Sequence, residues 1–451
     1  MMNDLDTTRQ LVQRGLSSAS MELERCIDSA QSTACAHAFT RTWFEPARQQ
    51  AARPEVTRLP LAGLAVSIKD LFDIEGQPTL AGSVALADAP AAVEDAPVVS
   101  RLRSAGATLI GRSTMAEFAF SGVGTNPHYG TPAAYDGRFG ALPGPARVPG
   151  GSSSGAAVSV AAGAAFVGLG SDTGGSLRIP AALNGIVGFK STARLVPTAG
   201  AVPLSPTLDT VGAITRSVRD AVLVHEVLAA RRVRHNPMPL SGWRLAVPET
   251  LFLQDLDRHV AAVFERTLHT LRRAGAKIDE LRLPETAAVV QLQAGGGLPA
   301  AESYAWHRQL LQQRGAQYDP RIRSRIERGA HMLAADYLDI LQARQRWIVQ
   351  MQSQLAGVDA LLSPTVPIVA PTLDSLAATD AAGDAEFFRV NALLLRNTSV
   401  VNLLDGCALS LPCHQQGEWP VGLMLWHAGQ HDDAVLHVGL RVEEALAAAK
   451  S

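Results

Sequence analysis

The sequence, which has 451 residues, is poor in cysteine and in charge, and each shortage excludes a class of protein. The four cysteines stand at positions 26, 35, 407 and 413 without a CxxC pair, so we expect neither a disulfide framework nor a zinc site. Charged residues make up 18% of the chain, with 40 basic residues against 42 acidic ones and a net charge of −2. Because no basic excess exists to neutralise phosphates, we expect no binding to nucleic acid or to an anionic membrane.

A long apolar run is missing as well. Residues 148–171 carry no charge, but they open on a glycine- and serine-rich run, and only residues 156–170 are continuously small or apolar. A transmembrane helix needs about 20 apolar residues, so we expect a buried helix of small residues followed by a strand. The N-terminal residues Met1-Met2-Asn3-Asp4 lack the apolar segment of a signal peptide, which predicts a cytoplasmic location.

Motifs for metals and nucleotides are also missing. The sequence contains no HExxH motif and no phosphate-binding GxxxxGK motif, and its 12 histidines show no spacing typical of metal ligands. Residues 168–174 resemble a dinucleotide-binding fingerprint, but that motif requires an acidic residue at the end of the next strand. The next strand is predicted at 185–189, and no acidic residue follows it before Asp209. The sequence therefore shows no motif for a metal or for a dinucleotide.

Helical and strand-like patterns alternate along the chain. Residues 7–50 are predicted to be helical, and Pro97, with Asp95 as N-cap, predicts a helix that ends at Gly106. Strands are predicted at 64–68, 108–110, 243–248, 358–363, 408–411 and 422–425, and further helices at 217–231, 256–275, 299–356 and 432–447. This alternation favours an α/β fold with parallel strand pairs.

No internal repeat or linker divides the chain. We therefore expect a single domain over residues 1–451, although the length alone is also compatible with several domains. Within this domain we distinguish a helical N-terminal segment (1–58), a core (59–216) and a helical elaboration (about 230–355).

Lys69 directly follows five apolar residues of a predicted strand, 64–68. A lysine in that position is expected to be partly buried, and burial favours the neutral amine, which is a base. Taken alone, a lysine that reaches solvent along its apolar stem, or that pairs with Asp70 or Asp73, is the better interpretation.

Two glycine- and serine-rich segments lead into regular structure. Residues 149–155 read Pro-Gly-Gly-Ser-Ser-Ser-Gly, which fits a flexible linker or a close backbone approach with inward-pointing hydroxyls. In the second segment, a strand ends in Thr173-Gly174-Gly175-Ser176. Successive backbone N–H groups in such a turn form an anion-binding concavity of the kind that a developing oxyanion requires. A serine at its end can attack a carbonyl carbon held there.

Together, the three segments resemble the amidase signature family. The match is carried by Val66-Ser67-Ile68-Lys69-Asp70, by residues 149–155 and by residues 170–180, and the spacing of Ser152 and Ser176 is also similar. Shorter matches occur at Gly111–Phe118, Thr125-Asn126-Pro127, Leu361–Thr365, Pro420-Val421-Gly422 and Gly188-Phe189-Lys190. The similarity covers the chain from about residue 60 to the C-terminus.

The resemblance implies a fold and a set of roles. The fold would be an α/β/α arrangement, a large mixed β-sheet covered by helices on both faces. Ser176 would be the nucleophile that forms an acyl-enzyme, Ser152 would relay the proton, and Lys69 would be the base in a Ser-Ser-Lys triad. The peptide bond before Ser152 would be cis, and the enzyme would need no metal and no organic cofactor. The oxyanion hole would consist of the N–H groups of Thr173, Gly174, Gly175 and Ser176, with Asp172 and Arg178 supporting the loop.

The activity implied by the resemblance is hydrolysis of the amide bond of a small molecule. The alternatives within the family are the A subunit of a tRNA-dependent amidotransferase and a ureido or carbamate hydrolase. A non-catalytic binding protein is disfavoured because the lysine and both serines are present. If Lys69 does not act as the base, His307 is the alternative candidate. The sequence leaves open whether the chain forms a homodimer. The substrate is expected to contact Phe120, Ser121, Gly122 and Tyr135.

Overall fold

The computed structural model describes residues 3–449, and its strands come from every part of that range. In chain order they are Phe39–Thr42 (β1), Ala65–Lys69 (β2), Thr108–Ser113 (β3), Tyr135–Asp136 (β4), Gly140–Ala141 (β5), Val167–Asp172 (β6), Val187–Lys190 (β7), Thr210–Thr215 (β8), Arg244–Pro248 (β9), Lys277–Leu281 (β10), Ala360–Pro364 (β11), Cys407–Pro412 (β12) and Gly422–His427 (β13).

The α-helices of the same range are Leu5–Gln13 (α1), Ala19–Gln31 (α2), Phe44–Ala51 (α3), Pro97–Ser104 (α4), Ser154–Ala161 (α5), Arg178–Leu183 (α6), Val218–Ala229 (α7), Arg258–Arg273 (α8), Ala288–Leu292 (α9), Gly297–Arg314 (α10), Pro320–Glu327 (α11), Ala334–Leu355 (α12), Ala381–Leu403 (α13) and Asp432–Ala448 (α14). Within residues 3–449, no helix combines the length and the apolar character that crossing a bilayer requires.

The sheet is large and mixed. Across the described residues, 11 strands pair in the order β1-β3-β2-β6-β8-β7-β12-β13-β11-β9-β10, while β4 and β5 form a separate ribbon. Strands β3, β2 and β6 are parallel, and so are β11, β9 and β10, whereas the central pairs are antiparallel. The mixed sheet expected from the sequence is confirmed.

Helices cover both faces of this sheet, because alternate residues of a strand point to opposite sides. In β7, Val187 and Phe189 join an apolar cluster with residues of α7 and α14. The intervening Gly188 faces the other way, where a Cβ atom would lie 2.8 Å from the Cβ of Ala181 in α6. The helices on the two faces therefore bury alternate positions of the same strand.

Two strands at the edges of the sheet were not predicted. β1 interrupts the helical pattern expected over 7–50, and β10 lies inside the helical elaboration expected over about 230–355. Both pair with one neighbour only and are largely exposed, so their sequences, Phe-Thr-Arg-Thr and Lys-Ile-Asp-Glu-Leu, lack the apolar pattern of a buried strand.

The predicted cap of α4 is also corrected. The helix begins at Pro97 as expected, but its N-cap is Ala96 rather than Asp95. The Asp95 carboxylate instead accepts hydrogen bonds from the Glu75 N–H at 2.9 Å and from Arg103 Nε at 2.8 Å.

Helix α8 agrees closely with the pattern in its sequence. Its buried residues recur at helical spacing, and Gly275, with a φ of +94°, follows the end of the helix.

Candidate active site

Lys69 ends strand β2 and is completely buried. Its Nζ lies 2.7 Å from Ser152 Oγ and 2.9 Å from Ser171 Oγ, as the donor in both hydrogen bonds. Parallel pairing of β2 with β6 accounts for the second contact, because it brings the ends of the two strands to the same edge of the sheet. The ammonium or amine of Lys69 is therefore held between two hydroxyl groups.

The surroundings of Lys69 favour the neutral amine. Burial lowers the pKa of Lys69 to about 7, and the negative charges of Asp172 and Asp209 oppose that shift only in part. The neighbouring Asp70 does not pair with Lys69, since its carboxylate accepts a hydrogen bond from the Gly82 N–H at 3.1 Å and lies 3.7 Å from Arg112 Nη1. A lysine in this state can accept a proton near neutral pH.

Ser152 follows a cis peptide bond, between Gly151 and Ser152, as the family resemblance implied. The segment before it is held by a hydrogen bond of 2.8 Å from the Gly151 N–H to the Gly122 carbonyl. The run continues directly into α5, so the linker interpretation of residues 149–155 is wrong. Ser152 is completely buried, and its hydroxyl points to Lys69.

The loop after β6 carries Ser176 and a row of free backbone donors. Within the described residues, the N–H groups of Gly174, Gly175 and Ser176 donate no hydrogen bond, and Ser176 Oγ has no hydrogen-bond partner. Gly175 is required here, because its φ is +138° and a Cβ atom would lie 2.2 Å from Thr398 Oγ1. The Ser153 N–H donates to the Ser176 carbonyl at 3.3 Å, which joins this loop to the serine run.

Asp172 and Arg178 form a buried ion pair beneath that loop. Arg178 Nη2 and Nε each lie 2.9 Å from an oxygen of the Asp172 carboxylate, and neither side chain is exposed. Asn402 donates to the same carboxylate at 2.8 Å, and the Leu177 N–H donates to it at 3.2 Å. Burial alone would raise the pKa of Asp172, but the Arg178 charge and these hydrogen bonds lower it to about 2.

The ion pair leads to a prediction about stability. We expect Arg178→Met to lower the free energy of unfolding by about 3–5 kcal/mol, because Asp172 would stay buried without its cation. Urea denaturation measures this loss. The control is Arg282→Gln, since the pair of Arg282 with Glu249 is largely exposed and contributes about 1 kcal/mol or less. Equal losses in the two variants would contradict the structural role of Arg178.

A cavity of about 360 Å³ opens beside Ser176. Three of the residues predicted to contact the substrate, Phe120, Ser121 and Gly122, line its wall. Thr173 and Gly174 line it as well, so the free N–H group of Gly174 belongs to its wall. A volume in this range suits a small molecule.

The structure does not bring Tyr135 to this cavity. Tyr135 opens the β4–β5 ribbon, and its N–H donates to Asn184 Oδ1 at 2.9 Å. Its side chain packs on the cluster formed by α5 and its neighbours, and it lines a different cavity with Arg138 and Arg216. The chain therefore leaves the wall of the cavity beside Ser176 between Gly122 and Tyr135.

His307 does not face the cavity either. It is buried in α10, where its Nδ1 lies 2.9 Å from the Tyr318 hydroxyl and its ring packs against Phe118. Burial lowers its pKa to about 3. His307 is therefore a residue of the core.

Sequence reasoning missed several residues of the site. In the sequence Ser171 is only a further serine of the strand end, yet it is the second hydroxyl on Lys69. Asp209 accepts a hydrogen bond from the Thr173 hydroxyl, and Thr398 Oγ1 donates to the Gly174 carbonyl at 2.6 Å. The available signal was a run of polar residues, 396–399, inside an otherwise apolar helical pattern.

Comparison with known proteins agrees with this geometry. The amidase family model matches residues 21–436. The 2-amino-5-chloromuconic acid deaminase of Comamonas testosteroni is 35% identical over 416 residues, which are 89% of this chain and 87% of that protein. The A subunit of the glutamyl-tRNA(Gln) amidotransferase of Acidobacterium capsulatum is 32% identical over 438 residues, covering 87% of each chain. A crystal structure of an amidase has a TM-score of 0.86 at 32% identity, covering 98% of this chain and 99% of that one.

Fold, cavity and similarity together define an enzyme that hydrolyses amide C–N bonds. The chain belongs to the amidase family over nearly its whole length. The resemblance inferred from the sequence motifs is thus confirmed, and with it the α/β fold built on one large mixed sheet.

Proposed function

We propose that the protein hydrolyses the amide of a small molecule through an acyl-enzyme on Ser176, with Ser152 as proton relay and Lys69 as base. The observation that carries this proposal is the contact of 2.7 Å between Lys69 Nζ and Ser152 Oγ, beside a loop whose serine faces a cavity. The proposal requires neither a metal nor an organic cofactor.

The first half of the reaction forms the acyl-enzyme. Ser176 Oγ attacks the amide carbonyl carbon, its proton passes to Ser152 Oγ, and the Ser152 proton passes to the neutral Lys69 amine. The carbonyl oxygen takes the negative charge and accepts hydrogen bonds from the N–H groups of Thr173, Gly174, Gly175 and Ser176. When the intermediate collapses, the C–N bond breaks, and the leaving nitrogen receives the proton from Lys69 through Ser152.

The second half releases the acid. Water attacks the ester carbonyl and gives up its proton along the same relay, and the C–O bond to Ser176 breaks. Ser176 Oγ regains a proton, so that the products are a carboxylic acid and ammonia or an amine. Asp172 and Arg178 act indirectly, because their ion pair supports the loop that presents the N–H groups.

Ser152→Ala tests the relay. We expect a loss of about 10²- to 10³-fold in kcat, smaller than the loss at Ser176, because a water molecule can take the place of the hydroxyl. The control is Ser153→Ala, since Ser153 Oγ donates only to the Ser171 carbonyl, at 3.4 Å. Steady-state ammonia release measures both variants. If Ser152→Ala is fully active and Ser153→Ala is inactive, the relay has been assigned to the wrong serine.

A substrate panel tests the function as a whole. The purified chain is assayed for ammonia or amine release from aliphatic, aryl and ureido amides, and mass spectrometry of quenched samples detects the acyl adduct on Ser176. The deaminase relative, whose name gives an amino-substituted acid as its substrate, supports small molecules as a starting point. If none of the compounds in the panel releases ammonia or an amine, the proposal is contradicted.

The second candidate is the A subunit of an amidotransferase, which the similarity to such subunits favours. The same assay separates the two functions, since a hydrolase works alone, whereas an amidotransferase chain needs its partner chains to act on the tRNA-bound substrate. We propose a cytoplasmic enzyme that works without partner subunits. Sedimentation of the purified chain tests whether it forms a homodimer.

A further inference from the structure

We propose that the cavity beside Ser176 binds a carboxylate of the substrate through Arg325, Arg328 and Arg396, so that the enzyme acts on amides that also carry a carboxylate group. This inference rests on the proposed function, because it concerns the substrate of that same site. It goes further in naming the charge of the substrate and the residues that select it.

The first argument is the charge of the cavity wall. Arg325, Arg328 and Arg396 all line the cavity that Ser176 lines, whereas none of its lining residues is an aspartate or a glutamate. The chain as a whole carries a net charge of −2, so a cavity with three cations is a local exception. A substrate with a negative charge would balance it.

The second argument is that no carboxylate of the described residues lies within ion-pair distance of the three guanidinium groups, although the charge of the exposed Asp255 does act on Arg396. Elsewhere in the molecule, arginines commonly pair with carboxylates, as Arg389 does with Glu386 at 2.7 Å on the same helix as Arg396. Within residues 3–449, none of the three cavity arginines forms an ion pair. Arginine presents planar N–H donors that match the geometry of a carboxylate.

The individual contacts show which donors are available. The Arg325 guanidinium lies 4.2 Å from the centre of the Phe120 ring and donates to the Phe120 carbonyl, which holds it against the cavity wall. Arg396 Nε donates to Asn397 at 3.2 Å, but its Nη2 is buried without a hydrogen-bond partner. A buried donor without a partner is costly, and a ligand oxygen would satisfy it.

The electrostatic environment of the three arginines also favours a negatively charged ligand. Burial lowers the pKa of Arg325 to about 10, and the charge of Arg328 acts in the same direction. Asp209 lies behind Thr173, from whose hydroxyl it accepts a hydrogen bond, rather than in the cavity wall. Asp255, whose charge acts on Arg396, does not line the cavity either, so no acidic side chain of the wall offsets the three guanidinium groups.

The cavity wall also has an apolar part. Leu204, Leu208, Leu298 and Leu403 line the cavity together with the arginines and the Ser176 loop. A short carbon chain with the amide at Ser176 and the carboxylate at the arginines would contact all three parts of this wall. The monoamides of four- to six-carbon dicarboxylic acids have this form.

The experiment compares matched charged and neutral amides. Succinamate, glutaramate and adipamate are assayed against butanamide, pentanamide and hexanamide, which have the same chain lengths without the charge. We expect the best charged amide to exceed its neutral partner in kcat/KM by at least about tenfold, and Arg396→Gln to lower that ratio by about 10- to 100-fold, mainly through KM. The control is Arg389→Gln, which removes an exposed arginine of the same helix and should leave the ratio unchanged.

A binding measurement keeps the inference separate from catalysis. We expect glutarate to bind the wild-type protein in calorimetry, and Arg396→Gln to weaken that binding by at least about tenfold. If neutral amides are hydrolysed at Ser176 but charged ones are not preferred, this inference is overturned while the proposed function stands. If no amide reacts but glutarate binds through Arg396, the proposed function fails and the carboxylate site stands. Absence of glutarate binding, or tighter binding of inorganic phosphate, overturns the carboxylate assignment.

Discussion

Replacing Ser176 by alanine is expected to lower kcat by at least about 10⁴-fold, because the variant would lack the oxygen that we propose as the nucleophile. The substitution should leave the fold intact. Ser176 Oγ has no hydrogen-bond partner within residues 3–449, and so its removal breaks no hydrogen bond. Single-turnover assays with the best amide of the panel measure the loss. Mass spectrometry should show an acyl adduct in the wild type and none in the variant.

The control for this prediction is another serine of the same region. Ser171→Ala removes a hydroxyl that contacts Lys69 at 2.9 Å but that lies on β6 rather than on the donor loop. We expect it to shift the pH dependence and to leave the acyl adduct in place. If Ser176→Ala keeps activity within about tenfold of the wild type, the nucleophile must be sought at Ser152, Ser153 or Ser171.

Replacing Lys69 by arginine is expected to lower kcat by at least about 10²-fold. Arginine keeps the positive charge of a protonated lysine, but it does not deprotonate in proteins and cannot accept the proton from Ser152. Lys69→Met, which has a similar volume and no charge, should be equally inactive. The exposed Lys277→Arg serves as the control and should behave as the wild type. Circular dichroism confirms that each variant is folded.

The pH dependence of the wild type gives the same hypothesis a second test. Because burial lowers the pKa of Lys69 to about 7, the base is neutral above that pH and protonated below it. We therefore expect kcat/KM to rise roughly tenfold per pH unit below about 7 and to level off above it. A rate that falls with rising pH across this range would be inconsistent with a lysine base. Retention of more than about a tenth of the wild-type turnover by Lys69→Arg would assign Lys69 an electrostatic role instead.

The parts of the site that the sequence predicts are local in the chain. Lys69 stands at the end of an apolar strand, and Ser176 ends a glycine-rich loop directly after another, so each is visible within a few residues. Buried strands also carry an apolar pattern, which explains why most of the central strands were predicted and the exposed edge strands β1 and β10 were not. The buried strand β8 was missed as well, because its sequence, Thr-Val-Gly-Ala-Ile-Thr, is short and is not continuously apolar.

The remainder of the site depends on contacts between distant segments, which no local pattern shows. Asn402 and Thr398 look like ordinary polar residues of a helix until α13 is seen to lie against the loop after β6. The unpaired state of Arg396 is likewise a property of the folded cavity. Tyr135 shows the same dependence, since only the folded chain places it in a different cavity from Phe120.

The hydrogen bond from Asn402 to Asp172 joins residues that are 230 positions apart, and this has a consequence for biosynthesis. When a ribosome has released Lys69, Ser152 and Ser176, helix α13, which contacts the loop after β6, has not yet been translated. Contacts of such long separation form slowly, because the intervening chain must be ordered first. We therefore expect nascent chains that end before α13 to lack catalytic competence.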